Sequence, residues 1–319
     1  MNPKNPHVYL MIALLTIFGL SSAAYAQTEG QGEPEIIKHR PNKDDANAPA
    51  GGNAVTAGTT GIITPAITYH GGALIPTPNI YYIWYGNWNQ TNGSDNASGQ
   101  QILRDFANNV GGSPYFQINT TYSAGNYTIS GGALFKGEAS DAYSRGTRLR
   151  DSDILTIVNS SITSGKLPYD PNGVYFVLTS SDVTETSGFC TKYCGWHTAA
   201  TPSAGHVRYS FVGNANRCLS ACSAQTIGPN GNAGVDGMVS IIAHELEEAV
   251  TDADPRSGWV DSGGAENADK CAWTFGQNQR QAANGAWYNV TMGTRNYLIQ
   301  RNLKHSTSGD TCNMSLTTQ

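Results

Sequence analysis

Residues 236–254 read DGMVSIIAHELEEAVTDAD. Met238, Val239, Ile242, Leu246 and Val250 recur at three- and four-residue steps. That period predicts a helix laid on the core, with Asp236 as its N-cap and its end near Thr251. On such a helix His244 and Glu248 stand one above the other on one face. Glu245 lies beside His244, about 100° further round. A helix that offers two ligand-type side chains one turn apart, with a glutamate next to the first, can hold a divalent ion and supply a base for water. In the HExxH form of this pattern the last position is histidine; here it is Glu248. A histidine plus two carboxylates neutralises a divalent ion and hardens the site. The expected cofactor is therefore a divalent metal, Zn²⁺ by analogy, with Mn²⁺, Fe²⁺ and Ca²⁺ also accommodated.

Downstream, residues 258–271 (GWVDSGGAENADKC) place Glu266 and Asp269 three apart in what reads as a short helix ending at Cys271. HELEEAVTD followed by this acidic segment resembles the zinc helix and third-ligand segment of thermolysin-type gluzincins, over about thirty residues. The resemblance implies a zincin-like mixed sheet with packed helices and a metal held by His244, Glu248 and Glu266. It makes Glu245 the catalytic base and Asp269 a buttress for His244, although the Asp269 spacing is one residue off.

Further out, residues 79–88 (NIYYIWYGNW) and 173–179 (GVYFVLT) read as strands, and 206–212 (HVRYSFV) as a half-buried one. Residues 98–110 and 151–163 carry apolar residues at helical spacing. Strands and helices mix without strict alternation, which gives an α+β class. At the N-terminus, Lys4, an apolar run over 8–20 and small residues up to Ala26 read as a secretory signal, 1–26. Residues 27–61 lack apolar periodicity and read as a disordered linker or propeptide. Residues 62–319 form a single domain without a membrane span.

An exported chain explains the cysteines. All six lie in the C-terminal half and read as three disulfides, with fifteen connectivities open. The net charge of −5, with no basic patch, excludes nucleic acid as the natural partner.

Six segments taken in order carry a wider likeness: ITYHGGALIPTPNIYYIWYGNW, GVYFVLTSSDV, GFCTKYCGWH, YSFVGNANRC, GVDGMVSIIAHELEEAVTD and the acidic stretch ending in Cys271. Over about residues 66–315 the chain resembles the phosphate-induced protein 1, or EXORDIUM-like, family. That resemblance implies a secreted or wall-associated protein, links it to plant growth responses, and attaches no firm enzymatic activity. His197 in CGWHT and His70 in YHGG fall in family-like segments, and each is an alternative ligand. Trp84, Tyr85 and Trp88 would offer a sugar-stacking face if exposed. Two functions follow as expectations. One is a secreted metal-dependent peptidase or other hydrolase. The other is a non-catalytic extracellular protein that binds a peptide or a cell-wall component, carbohydrate included.

Overall fold

A computed structural model of the chain describes Glu35–Lys38 as backbone, and residues 61–125 and 127–317 in full. The expected signal and most of the stretch after it lie outside the described residues.

Six strands form the main sheet: β1 (Glu35–Lys38), β2 (Asn79–Tyr85), β3 (Leu134–Asp141), β4 (Gly173–Thr179), β5 (Tyr193–Ala200) and β6 (Val207–Gly213). Their order is β1-β5-β6-β4-β2-β3. The four strands from β6 to β3 are parallel, β5 runs antiparallel to β6, and β1 runs antiparallel to β5 along its outer edge. Short two-stranded ladders, such as Thr68–Tyr69 with Trp259–Val260, surround this sheet in an α+β arrangement. Glu35–Lys38, inside the stretch expected to be linker or propeptide, is thus an edge strand.

The two long aromatic and aliphatic strands β2 and β4 are buried almost throughout, as strands covered on both faces are. Helix α1 (Ala97–Val110) links β2 to β3, and α2 (Asp151–Thr163) returns from β3 to β4 on the far side of β2. Right-handed crossovers in opposite directions put these helices on opposite faces. Helix α3 (Ala233–Thr251) shares the α1 face and lies across β5 and β6. Trp84, Tyr85 and Trp88 are core residues, so the sugar-stacking face expected from them is absent. Their rings pack against neighbours such as Tyr82, which meets Trp84 edge-on at 5.4 Å.

Helix α3 begins earlier than its apolar period indicated. Asn232 is the N-cap, accepting from the Val235 amide at 3.2 Å, and Asp236 falls in the first turn. Every residue from Gly234 to Thr251 is buried, so the helix is enclosed on all sides instead of carrying one apolar stripe. Its polar flank is absorbed by protein: Glu247 accepts from the side-chain amides of Asn119 and Asn302. Burial pushes the Glu247 carboxyl well above the ordinary range.

Asp236 gives a pH-dependent prediction. It accepts from the Asn230 amide at 3.0 Å and from the Asn230 side chain at 2.6 Å, yet burial raises its pKa from 3.8 to about 6. The folded protein therefore holds a proton that the unfolded chain releases earlier. This contribution is fully present below about pH 4 and is lost as pH rises through 6, a change of about 3 kcal/mol. Asp236→Asn cannot titrate. Its stability deficit against wild type, measured by urea unfolding, should shrink by about that amount between pH 4 and pH 7. A deficit independent of pH would contradict the assignment.

Three disulfides, all in the C-terminal half, join Cys190 to Cys218, Cys194 to Cys222 and Cys271 to Cys312. The first two tie the start of β5 to the segment that precedes α3. The third fastens the acidic segment to the C-terminal hairpin of Asn302–Lys304 and Thr311–Asn313. Among the described residues, no helix is long and apolar enough to cross a membrane.

Candidate metal centre

The face of β5 toward α3 is set by strand alternation. Gly195 and His197 point to the helix, while Trp196 points to the opposite core, where it meets Phe211. Gly195 is required for close approach: a Cβ there would stand 2.6 Å from Ile241 Cγ2 and 3.1 Å from Glu245 Oε1. The bare backbone lets α3 settle onto β5, and this contact brings the helix carboxylates to His197. Gly195→Ala should cost about 1–3 kcal/mol through overpacking. An unchanged denaturation midpoint would show that the approach is not tight.

His197 Nδ1 stands 3.3 Å from Glu245 Oε2 and 3.5 Å from Glu248 Oε2. Its other ring nitrogen, Nε2, faces Glu266 Oε1 at 3.6 Å. One helical turn brings His244 Nε2 to 2.8 Å from Glu248 Oε1, and Asp269 Oδ1 lies 3.6 Å from the same nitrogen. The Asp269 amide donates to Glu248 Oε1 at 3.0 Å, which locks the acidic segment to the helix. That segment is shaped further by Asp261, which accepts from the Gly263 and Ala265 amides and pairs with Lys270. Only Asp269–Cys271 of it is helical, as one short 3-10 turn.

The donors fall into two groups, His197 with Glu245 and Glu248, and His244 with Glu248 and Asp269. Within each group the ligand atoms lie within 4.8 Å of one another. This grouping differs from the triad expected from sequence. Glu266 does not join His244 and Glu248 as a third donor; it lies across the ring of His197. Glu245 stands among the donors, and Asp269 faces His244 directly. His70 stays apart and bonds Thr68 at 3.2 Å. Ser210, the cross-strand partner of His197 on β6, presents a buried hydroxyl without a hydrogen-bond partner on the same face. Sequence reasoning missed it, although the alternation of HVRYSFV marks its side of the strand.

The electrostatics are severe. His244, Glu245, Glu248, Glu266 and His197 are each no more than 1 % exposed. Burial opposes charge on His197, yet the hydrogen bonds and charges of Glu245 and Glu248 outweigh it and raise the imidazole to about 10. His244 is likewise raised, against its burial, by Glu248 and Asp269. Burial raises Glu245, while the two imidazoles overcome burial at Glu248 and lower it. The cluster thus draws in positive charge, whether as protons or as metal.

The donor set fits a metal ion. Nitrogen and oxygen ligands about 2.1 Å from a tetrahedral ion stand roughly 3.4 Å apart, close to most separations seen here. A proton-only network of charged groups would draw its contacts in to about 2.7–2.9 Å, a range that His244 Nε2–Glu248 Oε1 reaches and the His197 and Asp269 contacts do not. Instead His197 Nε2, both nitrogens of His244, Glu245 Oε1 and Glu248 Oε2 are buried without hydrogen-bond partners.

A family model described as the phosphate-induced protein 1 conserved region matches residues 67–313. Protein EXORDIUM-like 3 of Arabidopsis thaliana is 30 % identical over 339 aligned positions, covering 92 % of this chain and 94 % of the relative. Protein EXORDIUM-like 5 of the same plant is 34 % identical over 215 residues, 58 % of this chain and 57 % of the relative. No solved structure matches. The likeness to zincins therefore rests on the HELEE helix and the acidic segment alone.

Proposed function

The chain belongs to the phosphate-induced protein 1 family, and from that premise we propose that it is an exported, EXORDIUM-like binding protein whose domain is fastened by a buried divalent metal centre. The observation that carries this reading is the set of orphaned imidazole and carboxylate atoms enclosed between α3, β5 and the acidic segment. Three disulfides support residence outside the cytoplasm.

The centre's part is to neutralise these carboxylates and to cross-link three pieces of chain: the helix through Glu245 and Glu248, β5 through His197, and the segment carrying Asp269. Glu266 stands behind His197, with Oε1 3.6 Å from the second ring nitrogen, on the side where carboxylates orient metal-bound imidazoles. Structural sites are closed, whereas catalytic sites keep an open position. The burial of these donors supports a structural centre and, with it, a non-catalytic extracellular role toward a peptide or a wall component.

Hydrolysis is the second reading, favoured by one atom: Glu245 Oε1 has no hydrogen-bond partner and could take a proton from water. A peptide-library assay with added Zn²⁺ or Mn²⁺ separates the two. The binding reading expects no cleavage. Cleavage that disappears in Glu245→Gln would replace it with the hydrolase.

A further inference from the structure

Glu248 faces two imidazoles with different oxygens: Oε2 stands 3.5 Å from His197 Nδ1, and Oε1 stands 2.8 Å from His244 Nε2. Resting on the metal reading above, we infer that the centre is dinuclear, with Glu248 bridging one divalent ion held by His197 and Glu245 and a second held by His244 and Asp269.

Three observations carry this. First, the donors separate into two groups that share only Glu248. Ligands around one ion with bonds of about 2.1–2.2 Å can stand no more than roughly 4.4 Å apart, and a single ion would leave one imidazole and its carboxylate partner outside. Second, each half holds buried, unpartnered donor atoms of its own: Glu245 Oε1 and Glu248 Oε2 on the His197 side, and the ring nitrogens of His244 on the other. One ion at either half would leave the other in that condition, which costs roughly 1–3 kcal/mol for each buried unpaired polar group. Third, charge balances at two ions. Glu245, Glu248, Glu266 and Asp269 supply four negative charges, and two divalent ions with neutral imidazoles cancel them. A single ion cancels half, in a site that burial makes intolerant of net charge.

The chemical class of the ions follows from the donors. Imidazole with several carboxylates suits Mn²⁺, Fe²⁺ and Zn²⁺; two nitrogen donors argue against Ca²⁺ or Mg²⁺, which prefer oxygen throughout. The bridge also explains why the fifth position of HELEE is glutamate. A histidine there offers one ring nitrogen to one ion, whereas a carboxylate offers an oxygen to each of two.

The test is metal counting on the full exported chain, stripped with chelator, reloaded with MnCl₂, desalted and analysed for manganese per chain. Paramagnetic resonance of the same sample reads whether the ions are coupled. The expected result is two ions per chain with an exchange-coupled signal. His197→Ala and His244→Ala should each retain one ion and show the six-line signal of isolated Mn²⁺. One ion per chain in wild type would overturn the pair while leaving the single-metal reading standing. No bound ion would overturn both. Two ions that persist uncoupled in Glu248→Gln would place them elsewhere and also overturn the bridge. The wild-type count decides the matter even if a variant fails to fold.

Discussion

Removing divalent ions with a chelator should lower the melting temperature by roughly 8–16 °C. An ion present at a thousand times its dissociation constant stabilises the folded state by about 4 kcal/mol, and for a domain of this size each kcal/mol moves the midpoint by about 2–4 °C. The effect is large because the donors come from three separate pieces of chain. Glu245 and Glu248 ride on α3, His197 on the antiparallel strand β5, and Asp269 on a segment with little regular structure of its own. Without the ions, four carboxylates face one another around two imidazoles in a dry interior. The acidic segment would loosen first, since beyond the Trp259–Val260 ladder it is held by a disulfide, the Asp261 turn and a few hydrogen bonds to α3. Calorimetry with and without chelator, followed by recovery on adding Mn²⁺ or Zn²⁺, measures this. A midpoint indifferent to both would show that protons alone satisfy the cluster.

The paired disulfides should be partly redundant. Cys190–Cys218 and Cys194–Cys222 each span 28 residues and are offset by four positions, so they close nearly the same loop. Opening a loop of that length frees about 3.5 kcal/mol of unfolded-chain entropy. While either bond remains, the loop stays closed. Cys190→Ala with Cys218→Ala, or Cys194→Ala with Cys222→Ala, should therefore cost only about 2.5 kcal/mol, the entropy of the small ring that the second bond closes. Replacing all four cysteines should cost about 6 kcal/mol, a fall of roughly 12–24 °C in midpoint. Equal, additive losses from the two pairs would show instead that each bond acts through its local contacts. The strand fastened here carries His197 three residues after Cys194, so the four-cysteine variant should also bind metal more weakly.

Much of this architecture was legible before coordinates. The helix with His244 and Glu248 one turn apart, the strand 173–179 and the helix 151–163 stand near where the sequence put them, because apolar spacing in helices and unbroken apolar runs in buried strands are written locally. The even cysteine count likewise anticipated three bonds, though chain geometry alone fixes which sulfurs meet. What escaped was long-range. His197 lies 47 positions before His244, and no local period says that β5 lies under α3. Gly195 held that information in the form of an absent side chain. The aromatic run at Trp84 and Tyr85 misled for the opposite reason: a strand covered on both faces loses the alternation that would separate core from surface. Nothing in the sequence marked Glu247 as buried; Asn119 and Asn302, both distant in sequence, enclose it.

The central claim is that a metal centre sits between α3 and β5. The most direct measurement is a crystal structure of the purified protein, with anomalous difference maps collected above and below the absorption edge of the bound metal. The account predicts two edge-dependent peaks flanking the Glu248 carboxylate, one within bonding distance of His197 and the other of His244. Featureless anomalous density there, with waters or direct hydrogen bonds joining the same side chains, would contradict it.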